Sequence, residues 1–244
     1  MVTNEQIEHL KVLFAENKAR EQKALKIMED PSMRVSHVLS LKGVNTIFFL
    51  NKAFVQGDIQ ESKLYLYRIA MVNAYYHEQI NGEIFNALDT FTYPLLSDSQ
   101  VAIDRYNTYQ RTEYPDSFST YFGKAIQSVL SDDTDGLRGN IEGLREWSVD
   151  WAQAYQSVST VFEGFLSKNK ILIEQGLKGI IESQDHQGRP QLIKNFIHFE
   201  ATALAKLAWR KGLEVYTDSE LIPHQLLPVN SRTSYEYSDF PGGI

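Results

Sequence analysis

Residues 195–229 read NFIHFEATALAKLAWRKGLEVYTDSELIPHQLLPV. Phe196, Phe199, Ala203, Leu204, Leu207 and Ala208 recur at helical spacing, while Lys206, Arg210 and Lys211 fall in the last turn, where cations favour the helix dipole. Gly212 stands where a helix usually needs a left-handed residue to stop. Leu213, Val215 and Tyr216 then read as a short extended piece, and Asp218 or Ser219 can cap one more turn. Pro223 and Pro228 bracket the apolar clip Gln225-Leu226-Leu227. The stretch predicts a helix whose C-terminal extension is fastened back onto a helical body.

Upstream, Thr3 or Asn4 can cap a helix running to Met28, which Asp30-Pro31 ends. The spacing predicts a second helix over Ser32–Val55, apolar around more than half its girth and therefore central. Gly57 breaks it, and Asp58 with Glu61 reads as a capping box for a third helix. The same arrangement, two apolar residues, a small or polar break and a capping residue, occurs at Phe54-Val55-Gln56-Gly57-Asp58, Leu95-Leu96-Ser97-Asp98, Val129-Leu130-Ser131-Asp132-Asp133 and Phe165-Leu166-Ser167-Lys168-Asn169. These joints fall at intervals of roughly 34 to 40 residues, the length of one αα-hairpin in a helical repeat array.

Strand signals are confined to Thr90–Tyr93 and Glu214–Tyr216. Residues 81–93 and 184–190 read as looser segments, and 230–244 as a coil-like tail ordered in part. The fold expected is therefore all-α: one domain over 1–229, about ten helices arranged as antiparallel αα-hairpins in a degenerate repeat, with a tail over 230–244.

The chain carries no cysteine, which removes disulfides, thiolate metal sites and cysteine nucleophiles. Its net charge of −7 speaks against nucleic-acid or anionic-membrane binding and is compatible with a basic protein partner. The charged, amphipathic start and the lack of any apolar run of about 20 residues lead to the expectation of a cytoplasmic protein with no membrane span.

Chemistry is poorly represented. The six histidines form no His-x-x-x-His, no His-Glu-x-x-His and no Glu-x-x-His on two helices, so no metal is expected. His77-Glu78 and His198-Phe199-Glu200 place imidazole near carboxylate in sequence, but such neighbours diverge on a helix, and a capping or surface histidine is expected. No nucleophile elbow occurs. Gly136, Gly139 and Gly143 lack the preceding strand of a phosphate loop, and small residues at that spacing let another helix approach. No catalytic residue, cofactor or enzymatic activity is expected.

A docking surface has better support. Asp132, Asp133, Asp135, Glu142 and Glu146 lie along one joint and the helix after it, with Trp147 beside them, a mixture that supplies steering and anchoring at protein interfaces. A plain solvated helix face competes with this reading. Tyr106, Tyr109, Tyr114 and Tyr121, with Asp104, Glu113 and Asp116, form a second, weaker candidate.

His198-Phe199-Glu200-Ala201-Thr202-Ala203-Leu204-Ala205-Lys206-Leu207-Ala208, followed by Arg210-Lys211-Gly212-Leu213-Glu214-Val215, Asp218-Ser219, Leu221-Ile222-Pro223 and Leu226-Leu227-Pro228, resembles the C-terminal signature of the immunity protein 49 family, bacterial proteins encoded beside secreted polymorphic toxins. The resemblance covers roughly the last fifty residues; Tyr235–Phe240 match its aromatic closing segment only loosely. It implies neutralisation of a cognate toxin by tight binding, without catalysis, and an acidic inhibitor suits a basic, nuclease-like toxin. No binding residue is carried over, because Phe199, Leu204, Leu207 and Pro223 read as packing. The alternative is a helical-repeat adaptor holding a peptide or partner protein in a groove.

Overall fold

Thr3 opens the first helix with a reciprocal cap: Gln6 N–H donates to its hydroxyl at 3.2 Å, and its own N–H donates to the Gln6 side chain at 2.8 Å. The structure, a computed structural model, describes residues 2–80, 82, 84–110, 116–147, 150–188, 190–237 and 240. Helix α1 spans Asn4–Met28 and α2 spans Pro31–Val38, with Asp30 capping the latter and Pro31 in its first turn. α3 spans Ser40–Leu50 and runs on as a π-helical turn over Asn51–Val55.

The single helix expected over Ser32–Val55 is thus divided, with a 53° bend at Leu39. Two serines account for the break. The Ser36 hydroxyl donates to the Met33 carbonyl at 2.9 Å and the Ser40 hydroxyl to the His37 carbonyl at 2.6 Å, which competes with the helical ladder there. The bend lets Val38 and Leu41 both reach a small core with Met28 and Ala24.

Four hairpins follow, and their turns share one geometry. α4 (Ile59–Gln79) packs on α3, α6 (Gln100–Thr108) on α5 (Thr92–Ser97), α8 (Thr134–Glu146) on α7 (Phe118–Leu130), and α11 (Lys170–Glu182) on α10 (Ser157–Leu166). At the four joints Gly57, Asp98, Asp132 and Lys168 adopt φ of 67°, 60°, 57° and 52°. The next residue is the N-cap each time: Asp58, Ser99, Asp133 and Asn169 accept from the backbone N–H three residues on. Asp58, Asp133 and Asn169 also close the preceding helix, their N–H groups donating to Lys52, Ser128 and Gly164 carbonyls at 2.9, 2.9 and 2.8 Å. In the second joint the cap is Ser99, and the expected capping residue Asp98 is fully buried instead.

Two short helices, α9 (Asp150–Gln153) and α12 (Gln191–Lys194), lead to α13 (Phe199–Arg210). Every residue from Phe199 to Ala208 is buried, and the helix packs on α5 and α11. Gly212 stops it at φ 76°, and Leu213 N–H reaches back to the Ala208 carbonyl at 2.8 Å. The extension is pinned as expected: Trp209 Nε1 donates to the Val215 carbonyl at 3.0 Å, Tyr216 N–H to Glu174 at 2.9 Å, and His198 N–H to the Leu221 carbonyl at 2.8 Å.

The fold is all-α, with thirteen α-helices and no strand among the described residues. Neither strand candidate pairs. Thr90 lies in a 3₁₀ turn running into α5, and Glu214–Tyr216 are extended beside α11 without a partner strand. In the tail, Tyr237 and Phe240 are buried in the small core with α1, α2 and α3, and the Tyr235 ring packs at a tilt against Tyr67. No single described helix is long and apolar enough to cross a membrane; α2 with α3 passes such a test only as the bent pair, and α3 is buried from Val44 to Leu50.

Candidate protein-binding surface

α8 is a two-faced helix. Leu137, Ile141 and Leu144 are buried on one stripe, and Gly143 between them lets α7 in, since a Cβ there would lie 2.4 Å from the Tyr121 ring. The opposite face carries Asp135, Glu142 and Glu146, all exposed, with Gly139 bare at its centre. Sequence spacing alone recovers this pattern. The close approach expected of the small residues is made by Gly143 and not by Gly139.

The six residues singled out in the sequence divide into three kinds. Asp135, Glu142 and Glu146 share the solvent face, Asp135 pairing with Arg138 one turn on at 2.6 Å. Asp132 and Asp133 are already engaged. The Asp132 carboxylate accepts from Lys211 Nζ at 2.8 Å, and that hydrogen bond, with the lysine charge, holds its pKa below the usual range. Asp133 caps α8, accepting from Gly136 N–H at 2.9 Å. Trp147 ends α8, packs half-buried against the core, and its carbonyl accepts from Gln156 Nε2 at 2.9 Å. The indole is thus a core-edge residue and no projecting anchor. Arg145 reaches across to pair with Glu163 on α10.

The tyrosine surface does not form as read. Tyr106 is fully buried and donates to the Ala70 carbonyl at 2.7 Å; Tyr121 is half-buried against Gly143. Tyr109 donates to Glu78, which also takes Arg105 Nε at 3.0 Å and Nη2 at 2.6 Å. Burial raises the Tyr109 phenol pKa, and the Glu78 bond adds to the effect. Glu113 and Tyr114 lie outside the described residues.

One cluster escaped the sequence reading. The fully buried Asp98 carboxylate accepts on Oδ2 from Lys63 Nζ and Lys206 Nζ, both at 2.6 Å, and from Asn230 N–H at 3.2 Å, while Arg210 approaches Oδ1 at 3.3 Å. Lys206 spends its other two protons on the Leu226 and Pro228 carbonyls, each at 2.7 Å, and Lys63 reaches the Asn230 carbonyl at 2.7 Å. Lys206 therefore does not serve the helix dipole at the surface; it ties the Pro-bounded clip to α13. A signal was present: a lysine inside Ala-Leu-Ala-Lys-Leu-Ala, with apolar neighbours all round, can be accommodated only with a buried carboxylate. The carboxylate is saturated, so the cluster fastens and offers no free base.

His198 caps α13 from outside the helix, with fully buried Nδ1 3.4 Å from Ala201 N and 3.1 Å from Glu200 Oε2, and Nε2 2.6 Å from Gln187 Oε1. The expected divergence of His198 and Glu200 fails because the cap residue has extended backbone. Among the described residues no group of three or more His, Asp or Glu side chains is placed to hold a metal ion. No family model, curated protein or solved structure matches the chain.

Proposed function

We propose that the protein is an immunity protein that binds a cognate secreted bacterial toxin and neutralises it by covering it, without catalysis, in the cytoplasm. The observation that carries this reading is the run from His198 to Pro228, which resembles the immunity protein 49 signature. The solvent face of α8 is the surface it would use. Asp135, Glu142 and Glu146 stand out from a two-faced helix, and carboxylates so placed speed encounter with a basic, nuclease-like partner.

The test is co-expression of the product of the gene adjacent to this protein's own, with and without this protein, followed by pull-down of the pair. Rescue with a stable complex supports the reading, and Asp135→Lys with Glu142→Lys and Glu146→Lys should then slow association by about tenfold or more at low salt. Asp133 is left intact, because losing that cap would weaken α8 itself. Killing despite good expression, with no complex, would sink the assignment. The recurring joint geometry favours one other reading, a helical-repeat adaptor, which would hold a partner unconnected with toxicity.

A further inference from the structure

A groove of about 580 Å³ runs between α1 and α3, away from α8. Each helix contributes one stripe. Leu13, Ala24 and Ile27 of α1 face Val44 and Ile47 of α3 across an apolar floor, and the one buried amide there, Asn17, is satisfied by donating to the Leu13 carbonyl at 2.8 Å. The rim is basic. Arg20 and Lys23 are both exposed along it, His37 stands at one end, and among the described residues no carboxylate lines the groove. The carboxylate paired with Arg20 is the exposed Glu16 one turn back, 4.0 Å away, a contact that solvent screens almost completely. On a chain of net charge −7, this is a local reversal of sign over apolar surface.

Gly43 completes the geometry. It sits exposed inside α3, where glycine weakens a helix relative to alanine. Nothing in its own fold requires it, since a Cβ there would meet no atom within 4 Å. Its effect is to leave one turn of the α3 wall bare, between the Ser40 and Ile47 side chains.

We propose that this groove is a docking site for an acidic amphipathic helix of a partner protein. From Leu13 to Ile27 α1 rises by roughly 21 Å, room for about four turns of a docked helix. Such a helix would lay an apolar stripe at i, i+3 or i+4, and i+7 on the floor and set carboxylates against Arg20 and Lys23. The inference does not rest on the toxin reading, and the charge it selects is opposite to that selected by α8.

The test uses the full chain and two fluorescent 16-residue helical peptides sharing one leucine stripe, one flanked by glutamates and one by lysines, with binding read by anisotropy. The glutamate peptide should bind about tenfold or more tightly than the lysine peptide, and Arg20→Glu with Lys23→Glu should reverse the order. Gly43→Leu should fill the groove and weaken the glutamate peptide by about tenfold or more, while the thermal midpoint holds or rises through better helix propensity. No binding of the glutamate peptide, or an affinity unchanged by Gly43→Leu, overturns the proposal. So does a dimer in sedimentation that Gly43→Leu dissociates, since a second copy would then be the occupant.

Discussion

Asp98 shows how one side chain can hold distant parts of the chain together. It stands in a left-handed turn, fully buried, with α4, α13 and the segment after Pro228 all bonded to its carboxylate or carbonyl; the Ser231 hydroxyl takes the latter at 2.8 Å. Two lysines and a nearby arginine share this one carboxylate, so the site holds more positive than negative charge. Removing the carboxylate would leave those cations buried and uncompensated. Asp98→Asn should therefore cost ~3–5 kcal/mol in urea unfolding, far more than loss of an exposed pair such as Lys178–Glu182. A loss below about 1 kcal/mol would mean that the lysines find other acceptors.

At the scale of elements, the recurring unit is a left-handed residue followed by an N-cap. Glycine occupies the left-handed position in the first joint, aspartate in the next two and lysine in the fourth. Aspartate tolerates this backbone comparatively well, whereas the Lys168 Cβ crowds its own carbonyl. Lys168→Gly should thus stabilise the α10–α11 hairpin by ~1 kcal/mol, seen as a higher denaturant midpoint at constant slope. An unchanged or lower midpoint would mean that glycine's greater freedom in the unfolded chain cancels the gain. The joints were legible in the sequence because both ingredients are local, a break and a cap within five residues. The bend at Leu39 was not, since it depends on serine hydroxyls competing for carbonyls inside a continuous apolar pattern.

For the molecule as a whole, the buried titratable groups predict an unusual dependence on pH. Burial pushes Lys206 down from 10.5 to about 8, and the Asp98 charge only partly offsets it. Between pH 8 and 10 the unfolded chain keeps that proton while the folded chain gives it up. The unfolded state then binds more protons, so stability should rise with pH across this window, by about 2 kcal/mol from this group. Tyr93 and Tyr106 act in the opposite sense. Burial raises both phenols well above 10.0, so their contribution is intact below pH 10 and is lost as the unfolded tyrosines ionise above it. Thermal melts should show a maximum near pH 10, and Lys206→Met should flatten the rise between pH 8 and 10. A steady decline from pH 7 upward in the native protein would contradict the assignment.

By itself the sequence determined the helical class, the hairpin joints, the Gly212 stop, the pinned extension and the acidic solvent face of α8. All of these are set by periodicity, capping chemistry and backbone preference within a few residues. Tertiary structure alone decided that Lys206 and Lys63 meet at Asp98, that Trp147 and Tyr106 turn inward, and that α1 and α3 leave a basic-rimmed groove. Those outcomes depend on which residues far apart in the chain share the scarce interior. There a charge is tolerated only beside its counter-charge, and an aromatic ring goes wherever neighbouring helices leave room for it.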